Sequence, residues 1–188
     1  MWQLLFLISA LPIAAALIAR WMFGLHVLAE IGTRQCRCDL ASWLPSPDDT
    51  AVIHRADESA AEFGRQLRLK ALAEWRERDP KAAISRENSR RFGMAVPPFS
   101  GIIAVLGVIV ARIPVIGAIS ALLAATALAA AVGLLSLPPE LNAIALAARK
   151  LREAKSFPQR DDEEAVIRCA IAHAWKESLP PILRLLQR

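Results

Sequence analysis

Apolar residues occur in two arrangements that alternate along this chain. Three runs are nearly continuous. Leu4 to Ala19 contains sixteen residues without a charge, Phe99 to Ala111 follows Pro97-Pro98, and Ile113 to Leu137 contains 25 residues without an ionisable side chain. At about 1.5 Å per residue the last of these is long enough to cross a hydrocarbon core of about 30 Å. Elsewhere, apolar positions recur at helical spacing with charges between them. Ala60, Phe63, Leu67 and Ala71 share one face, while Arg65, Arg68 and Lys70 take other directions. Leu141, Ile144, Ala148 and Leu151 form a second such face beside Arg149, Lys150 and Arg152.

This pattern predicts an all-α integral membrane protein with about three transmembrane helices, an N-terminal anchor plus a two-span hairpin, and with cytoplasmic amphipathic helices. Residues 1–30 form the anchor and 31–95 a cytoplasmic loop and amphipathic helix. Residues 96–137 form the transmembrane hairpin, and 138–188 the cytoplasmic C-terminal helices. Met1-Trp-Gln carries no positive charge, so the first run reads as a retained anchor rather than a cleaved signal peptide. Arg20 is expected to snorkel to the headgroups, with Trp21 in the interfacial belt. Ser42 to Thr50, with Pro45 and Pro47, is a breaker-rich loop.

Ser59-Ala-Ala-Glu62 has capping-box form and starts a helix that runs to about Arg78 and stops before Pro80. Ala82 to Arg91 is basic and polar, leading to a second span that starts at Val96. Arg112-Ile-Pro114 makes a tight turn into the third. Phe157-Pro158 closes the helix after it, and Asp161 to Glu164 supplies negative charge at the start of the next, which reaches Trp175. Ile182 to Arg188 reads as a short amphipathic tail suited to the membrane surface.

Composition sharpens the picture. With 55% hydrophobic and 22% charged residues, charge must be segregated from the apolar runs. The net charge of +5 suggests a nucleic-acid partner at first sight, but Lys and Arg are interleaved with Asp and Glu and flank the spans, which argues for the positive-inside rule and against nucleic acid. Of 23 Lys and Arg, 12 fall between Arg34 and Arg91 and 9 from Arg149 onward. A hairpin puts both rich segments on one face, so the expected location is the cytoplasmic (inner) membrane, multi-pass, with the N-terminus outside and the soluble segments cytoplasmic. Arg112 alone opposes this orientation.

The side chains with chemical potential are sparse. Three cysteines do not make a disulfide framework, and Cys36-Arg-Cys38 lacks the second pair that a closed zinc site needs. His26 and His173 have no ligand partner at convincing spacing; Cys169, four residues before His173, is a weak one. In the third span Gly117, Ala121, Ala125, Ala129 and Gly133 repeat every four residues, a spacing that lets transmembrane helix backbones approach closely. Packing inside the monomer and dimerisation both use such a stripe.

Leu137-Pro-Pro-Glu-Leu-Asn-Ala143, delivered by a hairpin and followed by an alanine-rich basic helix, resembles an element of the neutral zinc metallopeptidases of bacterial membranes, the YugP-like group. The family element reads approximately Leu-Pro-Val-Glu-Phe-Asp/Asn-Ala-Ser, and the likeness extends over roughly residues 56 to 188. The resemblance implies that Glu140 is the third zinc ligand, the first two being the histidines of a His-Glu-x-x-His helix before the hairpin. No His-Glu-x-x-His occurs here; the histidines are His26, His54 and His173. Sliding the pattern back from Val96 puts the motif near Ala73-Glu-Trp-Arg-Glu77, where Glu74 keeps the general-base position and Ala73 and Glu77 stand in for the ligands. Alanine binds no metal, and zinc at neutral pH favours imidazole, so the site as the family builds it is broken. On a solvated face, Glu74 would instead pair with Arg78 at i,i+4.

The expectation is therefore a pseudoenzyme: a non-catalytic relative of zinc metallopeptidases, without cofactor, acting as scaffold or regulatory subunit for a membrane partner or as a homo-oligomer. The alternative is a divergent zinc metallopeptidase that hydrolyses peptide bonds with an altered site near Glu74, Glu77 and Glu140, with His54 as a further donor. A structural subunit of a larger membrane complex, without peptidase ancestry, would behave like the first.

Overall fold

The computed structural model describes residues 2–39, 56–180 and 183. The loop expected at Ser42 to Thr50, His54, and the C-terminal tail except Leu183 lie outside the described residues. The protein is all-helical. Helix α1 (Trp2–Arg20) continues through a π-helical turn (Trp21–His26) into the short α2 (Val27–Glu30), and it is followed by α3 (Ala60–Arg78), α4 (Pro80–Ile109), α5 (Val115–Leu135), α6 (Leu137–Ala154) and α7 (Arg160–Ser178). Among the described residues, three stretches are long and apolar enough to cross a membrane: Phe6–Glu30, Pro80–Ile109 and Val115–Ala154. One small sheet joins β1 (Gln35–Arg37) to β2 (Asp57–Ser59), antiparallel, with Cys36 opposite Glu58. The Cys36-Arg-Cys38 segment, expected as a loop, thus gains a ladder partner far away in sequence.

The chain divides into two discontinuous units whose boundaries cut across the four consecutive segments expected from sequence. The first, apolar, comprises Met1–Arg20, Ser85–Leu137 and Glu177–Arg188. The second, rich in charge, comprises Trp21–Ile84 and Pro138–Lys176.

In the apolar unit, α1 lies against α5. Ile13 and Ala16 meet Ala127 and Ala130, with Leu17, Leu123 and Leu134 packed around them. Leu179 and Leu183 join the same cluster, so Leu183, the described residue of the expected surface tail Ile182 to Arg188, lines a core. Of the predicted small-residue stripe, Ala129 and Gly133 are buried with Gly117, Ala125 is half-buried and Ala121 is exposed. A straight row at every fourth residue drifts around a helix of 3.6 residues per turn, which is why one partner cannot cover it all. Gly133 serves a close approach: a Cβ there would lie 2.3 Å from the Ser178 carbonyl oxygen. The hydroxyls of Ser120 and Thr126 donate to the carbonyls of Ile116 and Leu122 at 2.7 and 2.8 Å, so these polar groups are satisfied within their own helix.

Helix α4 begins at Pro80 and passes through Pro97 and Pro98, where the second span was expected to start at Val96. Proline removes the N–H from the ladder but fixes φ near the helical value, so the helix survives with two donors missing. Its start is capped by Asp79, whose carboxylate accepts from the Ala82 N–H at 3.1 Å. Arg86, on its polar portion, is buried; its Nη1 donates to the Gly133 carbonyl at 2.9 Å and to Ser136 Oγ at 2.5 Å, satisfying the C-terminus of α5. Arg90 pairs with Glu177 at 3.1 Å. Arg20, expected to snorkel, is only 5% exposed.

In the charged unit, α3 buries Ala60, Phe63, Leu67 and Ala71 as its periodicity predicts, together with Gly64 and Trp75. Half of the capping box forms: the Glu62 N–H donates to Ser59 Oγ at 3.3 Å, while the Glu62 carboxylate turns to Arg65 and Gln66 instead of reaching back. Gly64 permits a close crossing with α7, since a Cβ there would sit 2.6 Å from the Cys169 Cβ. Ile144, Ala147, Ala148 and Leu151 of α6, Val166 and Ala170 of α7, and Phe157, edge-on to Phe63 at 5.4 Å, complete this core.

Candidate functional site

Inside the charged unit, one carboxylate and one guanidinium are buried together. Glu140 stands in the first turn of α6, directly after Pro138 and Pro139. Proline suits a first turn because its missing N–H would have no partner there, and a carboxylate at that end is favoured by the helix dipole. Arg68 comes from the middle of α3. Its Nε donates to Glu140 Oε1 at 2.7 Å and its Nη2 lies 2.6 Å from the same oxygen. The side chains are 4% and 1% exposed. Two opposite charges so far from water are tolerable only because each neutralises the other in hydrogen-bonding geometry.

The periodicity argument set Arg68 apart from the face of Ala60, Phe63, Leu67 and Ala71, yet the structure buries it as well. The signal was present in its neighbours: Gly64 at i−4, Ala71 at i+3 and Trp75 at i+7 are all buried. Glu140 carries the same signal through Ala143, Ile144 and Ala147. Each side chain belongs to an apolar row, and only tertiary packing shows that the two rows meet.

The other residues singled out by sequence are dispersed. Glu74 is half-buried and accepts from Lys150 Nζ at 2.6 Å. Arg78, its expected i,i+4 partner, is exposed, so a cross-helix cation displaces the local pair. Ala73 and Glu77 are exposed on α3. His26 stacks on Trp21 and faces Glu30 at 3.5 Å. His173 Nε2 donates to the Ala61 carbonyl at 3.0 Å, a helix residue bonded to backbone.

A second charge pair, missed by sequence reasoning, fixes the start of α7: Arg34 Nη2 lies 2.8 Å from Asp162 Oδ1, with Asp162 buried. Cys36 and Cys38 on and beside β1 and Cys169 on α7 are buried free thiols. Burial pushes Cys36 and Cys169 up from 9.0 to about 11 and Cys38 up to about 12, so none supplies a thiolate near neutral pH.

The donor set does not fit the zinc that the resemblance implies. A catalytic zinc takes three protein ligands with free lone pairs. Glu140 is engaged by Arg68 and Glu74 by Lys150, and among the described residues no three His, Cys, Asp or Glu side chains are grouped to hold a metal ion. A guanidinium beside a would-be ligand also repels a cation by direct charge opposition. Chemically, the arrangement is a buried ion pair in which Glu140 Oε1 is engaged by both Nε and Nη2 of Arg68. Compared with known proteins, the chain matches no family model, no curated protein and no solved structure.

Proposed function

We propose that this is a non-catalytic, multi-pass membrane protein whose charged helical unit acts as scaffold or regulatory subunit for a membrane-protein partner. The observation that carries the reading is the Arg68–Glu140 pair: the carboxylate that the resemblance assigns to zinc is occupied by an internal cation at 2.6 Å. On this reading the protein descends from a membrane zinc peptidase, retains its helical frame, and has replaced the metal's charge with a guanidinium.

Support for membrane insertion comes from the exposed side chains. Leu7, Ile8 and Leu11 on α1, Ile102, Ile103 and Ile109 on α4, Val110 just beyond it, and Val115 and Leu135 on α5 are each more than half exposed. Continuous apolar surface of that kind is unstable in water and stable in hydrocarbon. The flanking charge favours an inner membrane with the N-terminus outside: 12 Lys and Arg between Arg34 and Arg91 and 9 from Arg149 onward fall on one face. Reporter fusions at the Arg112 turn and at the C-terminus test this orientation, with the outside-active reporter expected to function only at the turn.

The decisive test is metal content of the detergent-purified protein. The expected outcome is far less than one zinc per chain and an unfolding temperature unmoved by chelator. One zinc per chain that disappears in Glu140→Ala would overturn the reading in favour of a divergent metallopeptidase using Glu74, Glu77 and Glu140. Co-purification of a membrane partner is the positive counterpart, and a chain that always runs as a lone monomer would count against the scaffold role.

A further inference from the structure

Within the apolar unit, α4 and α5 part from each other to leave an open, almost wholly apolar cleft of about 730 Å³. Gly101, Ala104 and Ala118 give it depth, and Val105, Ile109 and Leu122 form much of its wall. A Cβ on Gly101 would lie 3.9 Å from the Leu122 side chain, so at that point the walls approach without meeting. From Pro98 to Ile109 the cleft follows α4 for about 16 Å at 1.5 Å per residue, close to the depth of one leaflet of a hydrocarbon core of about 30 Å.

The turn that joins the two walls carries Arg112. It is exposed, and it is the sole ionisable residue between Arg91 and Glu140. Its φ of 52° is a left-handed conformation that glycine or asparagine adopts more readily. Because Ile109 and Val115 both line the cleft, the turn between them puts the Arg112 cation at the end of the cleft where its two walls are joined.

We propose that this cleft holds one phospholipid with an anionic headgroup, an acyl chain lying between α4 and α5 and the phosphate on the Arg112 guanidinium. The inference rests on the membrane reading above. Charge complementarity selects the occupant: a second copy of the hairpin would bring another Arg112 to the same place, and two like charges oppose each other, whereas a headgroup whose phosphate is not offset by its own cation brings net negative charge.

The test uses the full chain reconstituted in vesicles of phosphatidylglycerol and phosphatidylcholine in equal amounts, extracted gently and read by native mass spectrometry. The expected result is one phosphatidylglycerol per chain, favoured about fivefold over phosphatidylcholine through the single cation. Arg112→Gln should bring the two lipids to near-equal retention, and Ala104→Leu, which fills the cleft, should remove both. Equal retention by the unaltered protein, undiminished preference in Arg112→Gln, or a dimer that Ala104→Leu converts to monomer would each overturn the proposal. Because Arg112 is exposed in a turn, its variant remains informative where Ala104→Leu fails to fold. A chain stripped from vesicles by alkaline carbonate would defeat the membrane reading itself, whereas an integrated chain without bound lipid defeats only this inference.

Discussion

In the apolar unit the helix contacts are made by alanine, glycine and a short leucine seam, and the large side chains face outward. In the charged unit Phe63, Leu67, Ile144 and Val166 face inward, and a guanidinium and a carboxylate are buried with them. The difference follows from the surroundings each composition suits. Against lipid, burying a leucine between helices gains nothing that the tails do not already supply, so close backbone approach and dispersion decide the packing. Against water, apolar burial is worth about 25 cal/mol per Å² and drives the large residues inward. A buried ion pair belongs to the second environment only because its neighbours exclude water while its geometry replaces what water gave.

Removing one half of that pair tests the comparison most severely. Glu140→Ala or Arg68→Ala should lower the unfolding free energy by about 3–5 kcal/mol, measured by denaturation in mild detergent, because a lone buried charge remains. The double variant Arg68→Met with Glu140→Leu should recover most or all of it. A single variant as stable as the unaltered protein would mean that water reaches the pair.

Close approach is the corresponding weak point of both units. Gly133→Leu, whose first added carbon lies 2.3 Å from the Ser178 carbonyl, and Gly64→Leu, 2.6 Å from the Cys169 Cβ, should each cost about 1–3 kcal/mol or more through overpacking. Unit-specific probes sharpen the contrast: Gly133→Leu should disturb the cluster around Ala127 and Ala130, and Gly64→Leu the fluorescence of Trp75.

The buried thiols offer a smaller effect with a definite sign. Cys36, Cys38 and Cys169 should resist alkylation at pH 8 in the folded protein and react fully after denaturation. Their folded values are raised, so the stability gained by keeping them neutral is complete below pH 9.0 and is lost as pH rises through about 11 and 12. Replacing all three by alanine should flatten that part of the alkaline slope. The smallest effect belongs to the surface: Lys150→Ala breaks its bond to Glu74 across 2.6 Å, yet should cost under about 1 kcal/mol and shrink further in salt, since the lysine is largely exposed.

Much of this architecture was legible in the chain. The 25-residue uncharged run, the capping box at Ser59 and the face of Ala60, Phe63, Leu67 and Ala71 each depend on a local period, and local periods survive folding. Other features depended on distant partners. Pro97 and Pro98 look like a helix start, yet the helix that contains them begins at Pro80. Ile182 to Arg188 looks like a surface tail, yet Leu183 joins Leu179 in the core around Ala127. Arg68 and Glu140 each look like one charge on a helix, and they lie 72 positions apart.

Sequence by itself therefore determined the helices, their apolar length and the separation of charge from hydrocarbon-like runs, because these are written at spacings of a few residues. Tertiary structure alone decided the chemistry at Glu140. Whether a carboxylate faces water, a metal or a guanidinium depends on what another helix brings within about 3 Å, a distance at which charge-assisted hydrogen bonds form and which no local pattern encodes.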